Sequence, residues 1–117
     1  MRGVVAVVAL VALAGCAGQA LNQARAVGPT KTFVSAKAEQ VVAQCIQFSW
    51  QDEAVFDVDA AAYLESSSAI KGTTVLTRGA DYFVDIRSEG GATAVSYYVA
   101  KSDKTAPRRL TAVATCL

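Results

Sequence analysis

The chain has 117 residues, 53% of them hydrophobic and 18% charged, so it is long enough for one globular domain and too short for two. Its 11 basic and 10 acidic residues give a formal net charge of +1, which argues against the strongly basic surface of a nucleic-acid-binding protein. The chain contains no His, so Ser-His-Asp and Cys-His catalysis are excluded, and the commonest zinc ligand is missing.

The N-terminus carries a short apolar segment behind a single base. Residues 4–14 are an uninterrupted run of Val, Ala and Leu that follows Arg2. This run of about eleven residues is shorter than the roughly 20 that a membrane-spanning helix needs. A base followed by a short apolar run is typical of a secretory signal peptide. We therefore predict that residues 1–15 are a signal peptide.

Residues 13–16, with the sequence Leu-Ala-Gly-Cys, resemble the lipobox of bacterial lipoprotein signal peptides. The resemblance implies cleavage before Cys16, a diacylglycerol on its thiol and acylation of the new amine. Because each buried methylene contributes about 0.8 kcal/mol, two acyl chains already anchor a protein durably. Members of this class with Asp after the acylated Cys tend to stay at the inner membrane. Ala17 stands there instead, which implies the periplasmic face of the outer membrane.

The segment after the anchor is predicted to be a flexible tether. Residues 16–32 mix small and polar side chains with the pair Gly28 and Pro29, and they show no sustained periodicity. A short helical turn over residues 20–26 is an open alternative. A fully extended tether of this length could hold the domain up to about 50 Å from the bilayer. We expect residues 33–117 to form a single globular domain.

An amphipathic helix is predicted at the start of this domain. Ser35 is a favourable N-cap, and apolar residues follow it at helical spacing. The predicted inward face comprises Ala38, Val41, Val42, Cys45, Ile46 and Ser49. Phe48 and Trp50 are expected to fold over the edge of a sheet, and the alternative is that they line a ligand groove.

From residue 54 apolar residues recur at every second position, which predicts strands with one covered face. The expected strands lie near residues 55–59, 73–77, 81–87 and 93–100. Gly79, Gly90 and Gly91 are predicted to form the turns between the last three strands, which should make an antiparallel meander. Tyr63 and Leu64 fit either a strand end or a loop. The sequence thus predicts an α+β domain with one helix on a roughly four-stranded antiparallel sheet.

The last segment is predicted to be a short helix. Pro107 stands at a possible first helical position, and Leu110, Val113 and Cys116 follow at spacings near three. Alternation through Leu110 and the alanines after it also fits a strand. In both cases Cys116 can point inward.

One disulfide follows from the predicted compartment. With Cys16 acylated, two of the three cysteines remain, Cys45 and Cys116. The periplasm oxidises thiols, and two thiols allow a single pairing. We predict a structural bond between them, because the chain has no Cys-x-x-Cys spacing of the redox-active kind.

Paired carboxylates are the remaining candidates for acid-base chemistry. Asp57 and Asp59 would share one strand face, and so would Asp81 and Asp85. These residues flank polar positions, so we interpret them as solvated strand faces and not as a catalytic pair. The sequence also lacks a Gly-rich phosphate loop and the EF-hand spacing. We therefore predict no cofactor, no metal site and no enzymatic activity.

The mature part resembles small lipoproteins of Gram-negative bacteria and their prophages. The resemblance rests on Cys45-Ile46, Trp50, Tyr97-Tyr98 and Cys116-Leu117, and it implies a layout but no activity. We predict a membrane-anchored periplasmic lipoprotein that acts as a binding or envelope-accessory module, with an envelope protein or a glycan as partner.

The expected binding surface is the uncovered sheet face, with Trp50, Tyr97 and Tyr98 as candidate contact residues. Two alternatives stay open. One is a periplasmic enzyme inhibitor that presents the loop at residues 66–72. The other is a subunit of a secretion or lysis assembly, which would offer an exposed strand edge to a partner strand.

Overall fold

A computed structural model of the protein describes residues 18–53 and 61–117. Within these ranges the chain is α+β, with three α-helices and five strands in one antiparallel sheet. The helices are α1 (18–27), α2 (Glu39–Gln51) and α3 (Thr105–Ala114). The strands are β1 (Lys31–Ser35), β2 (Ala62–Ser67), β3 (Gly72–Thr77), β4 (Tyr82–Glu89) and β5 (Ala92–Val99).

The strand order in the sheet is β1-β5-β4-β3-β2. Strands β2 to β5 follow one another as a meander, and β1 lies outside β5 at the other edge. Gly90 and Gly91 join β4 to β5 with φ angles of 60° and 83°. Two consecutive positive φ angles are what the type I′ hairpin turn requires, and glycine adopts them without steric cost.

The predicted α+β class is confirmed, and the described part of the chain has five strands where the sequence predicts about four. Strands β3, β4 and β5 coincide with the predictions near residues 73–77, 81–87 and 93–100. The strand expected at residues 55–59 lies outside the described residues. Tyr63 and Leu64, which fit either a strand end or a loop, belong to β2.

Strand β1 lies across the predicted boundary between tether and domain. It pairs with β5, and Phe33 lies opposite Val95. Its two apolar residues, Phe33 and Val34, are adjacent and point to opposite faces, so no apolar alternation marks the strand in the sequence. Ser35 belongs to this strand and does not cap a helix. The N-cap of α2 is Ala38, which makes no side-chain capping hydrogen bond.

Helix α1 occupies most of the segment that the sequence predicts to be a flexible tether. It packs on the sheet through Leu21, which is buried with Ala80, Phe83 and Tyr98. Folded structure is therefore present before residue 33, where the sequence predicts the domain to start. The predicted helix α2 follows α1 and β1 and is not the first element of the described chain.

The helices cover both faces of the sheet. Helices α2 and α3 pack on one face with the inward residues of β3, β4 and β5, and α1 packs on part of the other face. The buried residues of α2 are Val42, Ala43, Ile46 and Trp50. Val41, predicted to point inward, is 53% exposed, so the buried stripe of α2 is rotated from the predicted one. Helix α3 confirms the predicted C-terminal helix and begins two residues before Pro107.

Candidate functional site

The disulfide predicted from the sequence is present. Cys45 in α2 is bonded to Cys116, which follows α3, and their Cα atoms are 5.7 Å apart. Cys116 is fully buried in the core that α2 and α3 form with the sheet. The bond thus joins the two helices that cover the same sheet face.

All three aromatic residues predicted to contact a partner are buried. Trp50 lies in the core, and its Nε1 donates a hydrogen bond to the Arg109 carbonyl oxygen at 3.1 Å. The Tyr97 hydroxyl donates to the Ala106 carbonyl oxygen at 2.8 Å. Tyr98 points to the opposite sheet face and stacks on Phe83, with ring centroids 4.6 Å apart. These side chains hold helices on the sheet and are not available to a partner in this conformation.

A buried charged pair lies beside Trp50. The Arg109 side chain is 1% exposed, and its guanidinium lies 5.4 Å from the centre of the Trp50 ring. Its Nη1 donates a hydrogen bond to the Trp50 carbonyl oxygen at 3.2 Å and lies 3.8 Å from Glu53 Oε2. Burial raises the pKa of Glu53, and the charge of Arg109 opposes that shift. Charged side chains are mostly exposed in proteins, and the structure buries both Glu53 and Arg109.

A small polar cleft opens next to Arg109, where β3 turns into β4. Its volume is about 150 Å³, and it is lined by Thr77, Arg78, Asp81, Tyr82, Lys101, Asp103, Thr105 and Arg109. The Asp103 carboxylate accepts hydrogen bonds from the Tyr82 hydroxyl and from the backbone N–H groups of Thr105 and Ala106. The Tyr82 hydrogen bond lowers the pKa of Asp103. Asp103 thus satisfies the first N–H groups of α3, which is a structural role.

The candidate carboxylate pairs do not converge in the described part of the chain. Asp85 is buried in β4, where the Arg25 Nε and Nη2 atoms donate to its two carboxylate oxygens at 2.8 Å each. The Thr74 hydroxyl also donates to Asp85 at 2.8 Å. Asp81 precedes β4 and lies outside the strand. Asp57 and Asp59 lie outside the described residues. The prediction of a solvated strand face therefore does not hold for Asp85, which binds α1 to the sheet.

The sheet face on which α1 packs is only partly covered, and the β1 edge of the sheet is open. Val34 is 75% exposed, and within the described chain β1 pairs only with β5. A groove of about 350 Å³ runs along these two strands. It is lined by Thr32, Phe33, Val34, Arg87, Ala94, Val95 and Ser96. An open strand edge beside a partly apolar groove can accept an extended peptide.

The loop considered as an inhibitory loop is shorter than the sequence suggests. Ser66 and Ser67 belong to β2, and only residues 68–71 form the turn to β3. Among the described residues, no group of three or more His, Cys, Asp or Glu side chains is arranged to hold a metal ion. The described helices also include none that is both long and apolar enough to cross a membrane.

Comparison with protein-family models, with curated proteins and with solved structures found no match to this chain.

Proposed function

We propose that this protein is a lipid-anchored envelope protein that binds another protein through the open β1 edge of its sheet. The anchor would be Cys16, and the location the periplasmic face of the outer membrane, as predicted from residues 13–17. The bond between Cys45 and Cys116 supports this compartment, because structural disulfides form and persist where thiols are oxidised.

The single observation that carries the binding role is the exposed β1 edge with its groove. Exposed strand edges are prone to pair with other chains, and proteins usually protect them with charges, bulges or coverage. In β1 the outward Val34 is instead apolar and 75% exposed. A partner strand added to β1 would gain main-chain hydrogen bonds along the edge and apolar contact with Val34.

The lining of the groove also indicates which kind of partner segment would bind in it. Among the residues that the structure describes, Arg87 is the one charged residue that lines the groove, and its side chain is about half exposed, beside Glu89. An extended segment of an envelope protein, mainly apolar and carrying one acidic residue, matches this lining in shape and charge. This lining favours the assembly-subunit alternative over the inhibitor alternative, because the loop at residues 68–71 is a tight turn.

Catalysis is not part of the proposal. The chain has no His, and the carboxylate oxygens of Asp85 accept hydrogen bonds from Arg25 and Thr74. A carboxylate whose oxygens are occupied by structural hydrogen bonds is poorly placed to accept a proton from a substrate.

Site-specific photo-crosslinking in living cells tests the binding surface. We would place a photoreactive phenylalanine analogue at Val34 and, as a matched control, at Val41, which is also apolar and exposed but lies on α2. Position 34 is expected to form a discrete protein adduct and position 41 none. Arg87→Glu should reduce the yield of the position-34 adduct several-fold.

Adducts of equal yield from both positions, or none from either, would contradict the proposal. An adduct from position 34 that resists proteases and is removed by glycan hydrolases would make a glycan the partner. That result would also contradict the strand-addition mechanism.

A further inference from the structure

Very little chain separates the predicted anchor from the folded domain. Helix α1 is already formed at residue 18, two residues after Cys16. Two residues span at most about 7 Å when fully extended. Leu21, one helical turn further on, is 7% exposed and packed on the sheet. If Cys16 is acylated, the domain has no long tether and its α1 region must lie close to the bilayer.

The surface closest to that anchor is apolar. A groove of about 310 Å³ lies between α1 and the end of β5, and it is lined mainly by small apolar residues. Ala20 and Ala24 line its α1 side, and Val99 and Ala100 line its β5 side. Val27, at the end of α1, also lines the groove and is 91% exposed. Ala20 is only four residues from the predicted anchor.

Two exposed bases lie at the same end of the sheet as this apolar groove. Lys31 begins β1 four residues after Val27, and Lys101 follows Ala100 at the end of β5. Both lysines are exposed. Two acidic residues line a cleft together with Lys101: Asp81, which is half-buried and whose carbonyl oxygen accepts from the Ala100 N–H at 2.8 Å, and Asp103, which is exposed and accepts from the Tyr82 hydroxyl. Apolar residues between exposed bases are typical of surfaces that lie at the boundary of anionic lipid headgroups.

We infer that the α1–β5 groove lies against the phospholipid surface of the anchoring membrane, with Val27 at the acyl boundary and Lys31 and Lys101 among the headgroups. This inference rests on the proposed anchor at Cys16. It gives the domain a fixed orientation. Strand β1 starts at the membrane with Lys31, and Val34 lies about 10 Å further from it along the strand. The opposite end of the sheet, where Lys37 and Lys71 lie, faces the periplasm.

Lysine reactivity on vesicles tests the orientation with controls inside the same chain. The lipidated full chain would be reconstituted into vesicles of phosphatidylcholine and phosphatidylglycerol and exposed to an amine-acylating reagent. The unlipidated Cys16→Ser chain in solution supplies the reference rate for each lysine. We expect Lys31 and Lys101 to react several-fold more slowly on vesicles, and Lys37 and Lys71 to react at their reference rates.

Two variants test whether the slower reaction of Lys31 and Lys101 comes from membrane contact or from a general effect of the vesicle. Val27→Glu places a charge at the acyl boundary and should return Lys31 and Lys101 to their reference rates. Val41→Glu, on α2, should leave their protection intact. Both variants keep Cys16 and should still float with the vesicles.

Flotation distinguishes failure of this inference from failure of the proposed function. For each lysine, the rate on vesicles is compared with its reference rate in solution. If the chain floats but this ratio is the same for all four lysines, the inference is overturned and the anchor stands. If the wild-type chain purified from membranes carries no lipid and does not float, the anchor and the inference are both overturned.

Discussion

The contact that attaches α1 to the sheet is a bidentate ion pair. The Arg25 Nε atom lies 2.8 Å from Asp85, the two side chains are only 16% and 7% exposed, and Thr74 adds a further hydrogen bond to Asp85. The hydrogen bonds that Arg25 donates to Asp85 raise the pKa of Arg25, so this guanidinium stays charged. Removing one partner of such a pair leaves the other charge buried without compensation, which costs more than the pair itself contributes.

We expect Arg25→Ala to lower the free energy of unfolding by about 3 kcal/mol, because it leaves the Asp85 carboxylate buried beside Thr74 alone. The matched control is Arg87→Ala. Arg87 and Glu89 form a pair at 3.4 Å whose side chains are 52% and 62% exposed, and such pairs contribute less than about 1 kcal/mol. Urea denaturation of the two variants measures the difference. Equal losses would show that Arg25 and Asp85 do not act as a buried pair.

The second buried arginine shows what sequence periodicity can reveal about single residues. Arg109 precedes Val113 by four residues, so helical spacing places both on one face of α3, and Cys116 follows the end of that helix, three residues after Val113. That spacing is visible in the sequence, but it cannot show that Trp50 and Glu53 would surround the guanidinium. Trp50 and Glu53 come from α2 and the residues after it, more than 50 positions away, and a third neighbour, Tyr82, comes from β4.

Among the elements, α2 and the C-terminal segment depend most on the disulfide between them for their stability. Helix α3 has 10 residues and buries only Arg109 and Val113, so its own packing surface is small. The disulfide holds its end against α2 across a sequence separation of 71 residues. Closing a loop of this length lowers the entropy of the unfolded chain and thereby favours the folded one.

Reduction of the disulfide is expected to lower the free energy of unfolding by about 4 kcal/mol, the chain-entropy value for a loop of this length. Urea denaturation with and without dithiothreitol measures the loss. The double variant Cys45→Ser/Cys116→Ser is the control, since dithiothreitol should not change its stability. Alkylation of both cysteines in the native protein without prior reduction would contradict the bond.

At the scale of the whole molecule, the proposed anchor and the proposed binding surface lie in different regions. The α1–β5 groove is adjacent to residue 18, the first described residue, whereas Arg87 of the β1 groove lies toward the other end of the sheet. A domain seated on the membrane in this way would present its open strand edge laterally and keep it accessible to a partner. Both proposals depend on acylation of Cys16.

Cys16→Ser is therefore expected to move the protein from the membrane fraction to the soluble fraction and to abolish incorporation of labelled palmitate. Cys45→Ser serves as the control, because that thiol is bonded to Cys116 and should not affect acylation. Fractionation and palmitate labelling of cells that express each variant provide the measurement. Continued labelling of Cys16→Ser would rule out this anchor.

The sequence by itself determined the α+β class, the helix α3, the last three strands of the meander and, once Cys16 was assigned to the anchor, the pairing of Cys45 with Cys116. These features follow from local periodicity, from turn residues and from the small number of cysteines, none of which requires knowledge of distant contacts. Only the tertiary structure decided that α1 covers the second sheet face and that β1 extends the sheet. It also decided that Trp50, Tyr97 and Tyr98 are buried. Those outcomes depend on pairings such as Arg25 with Asp85, 60 residues apart, whose partners local periodicity cannot identify.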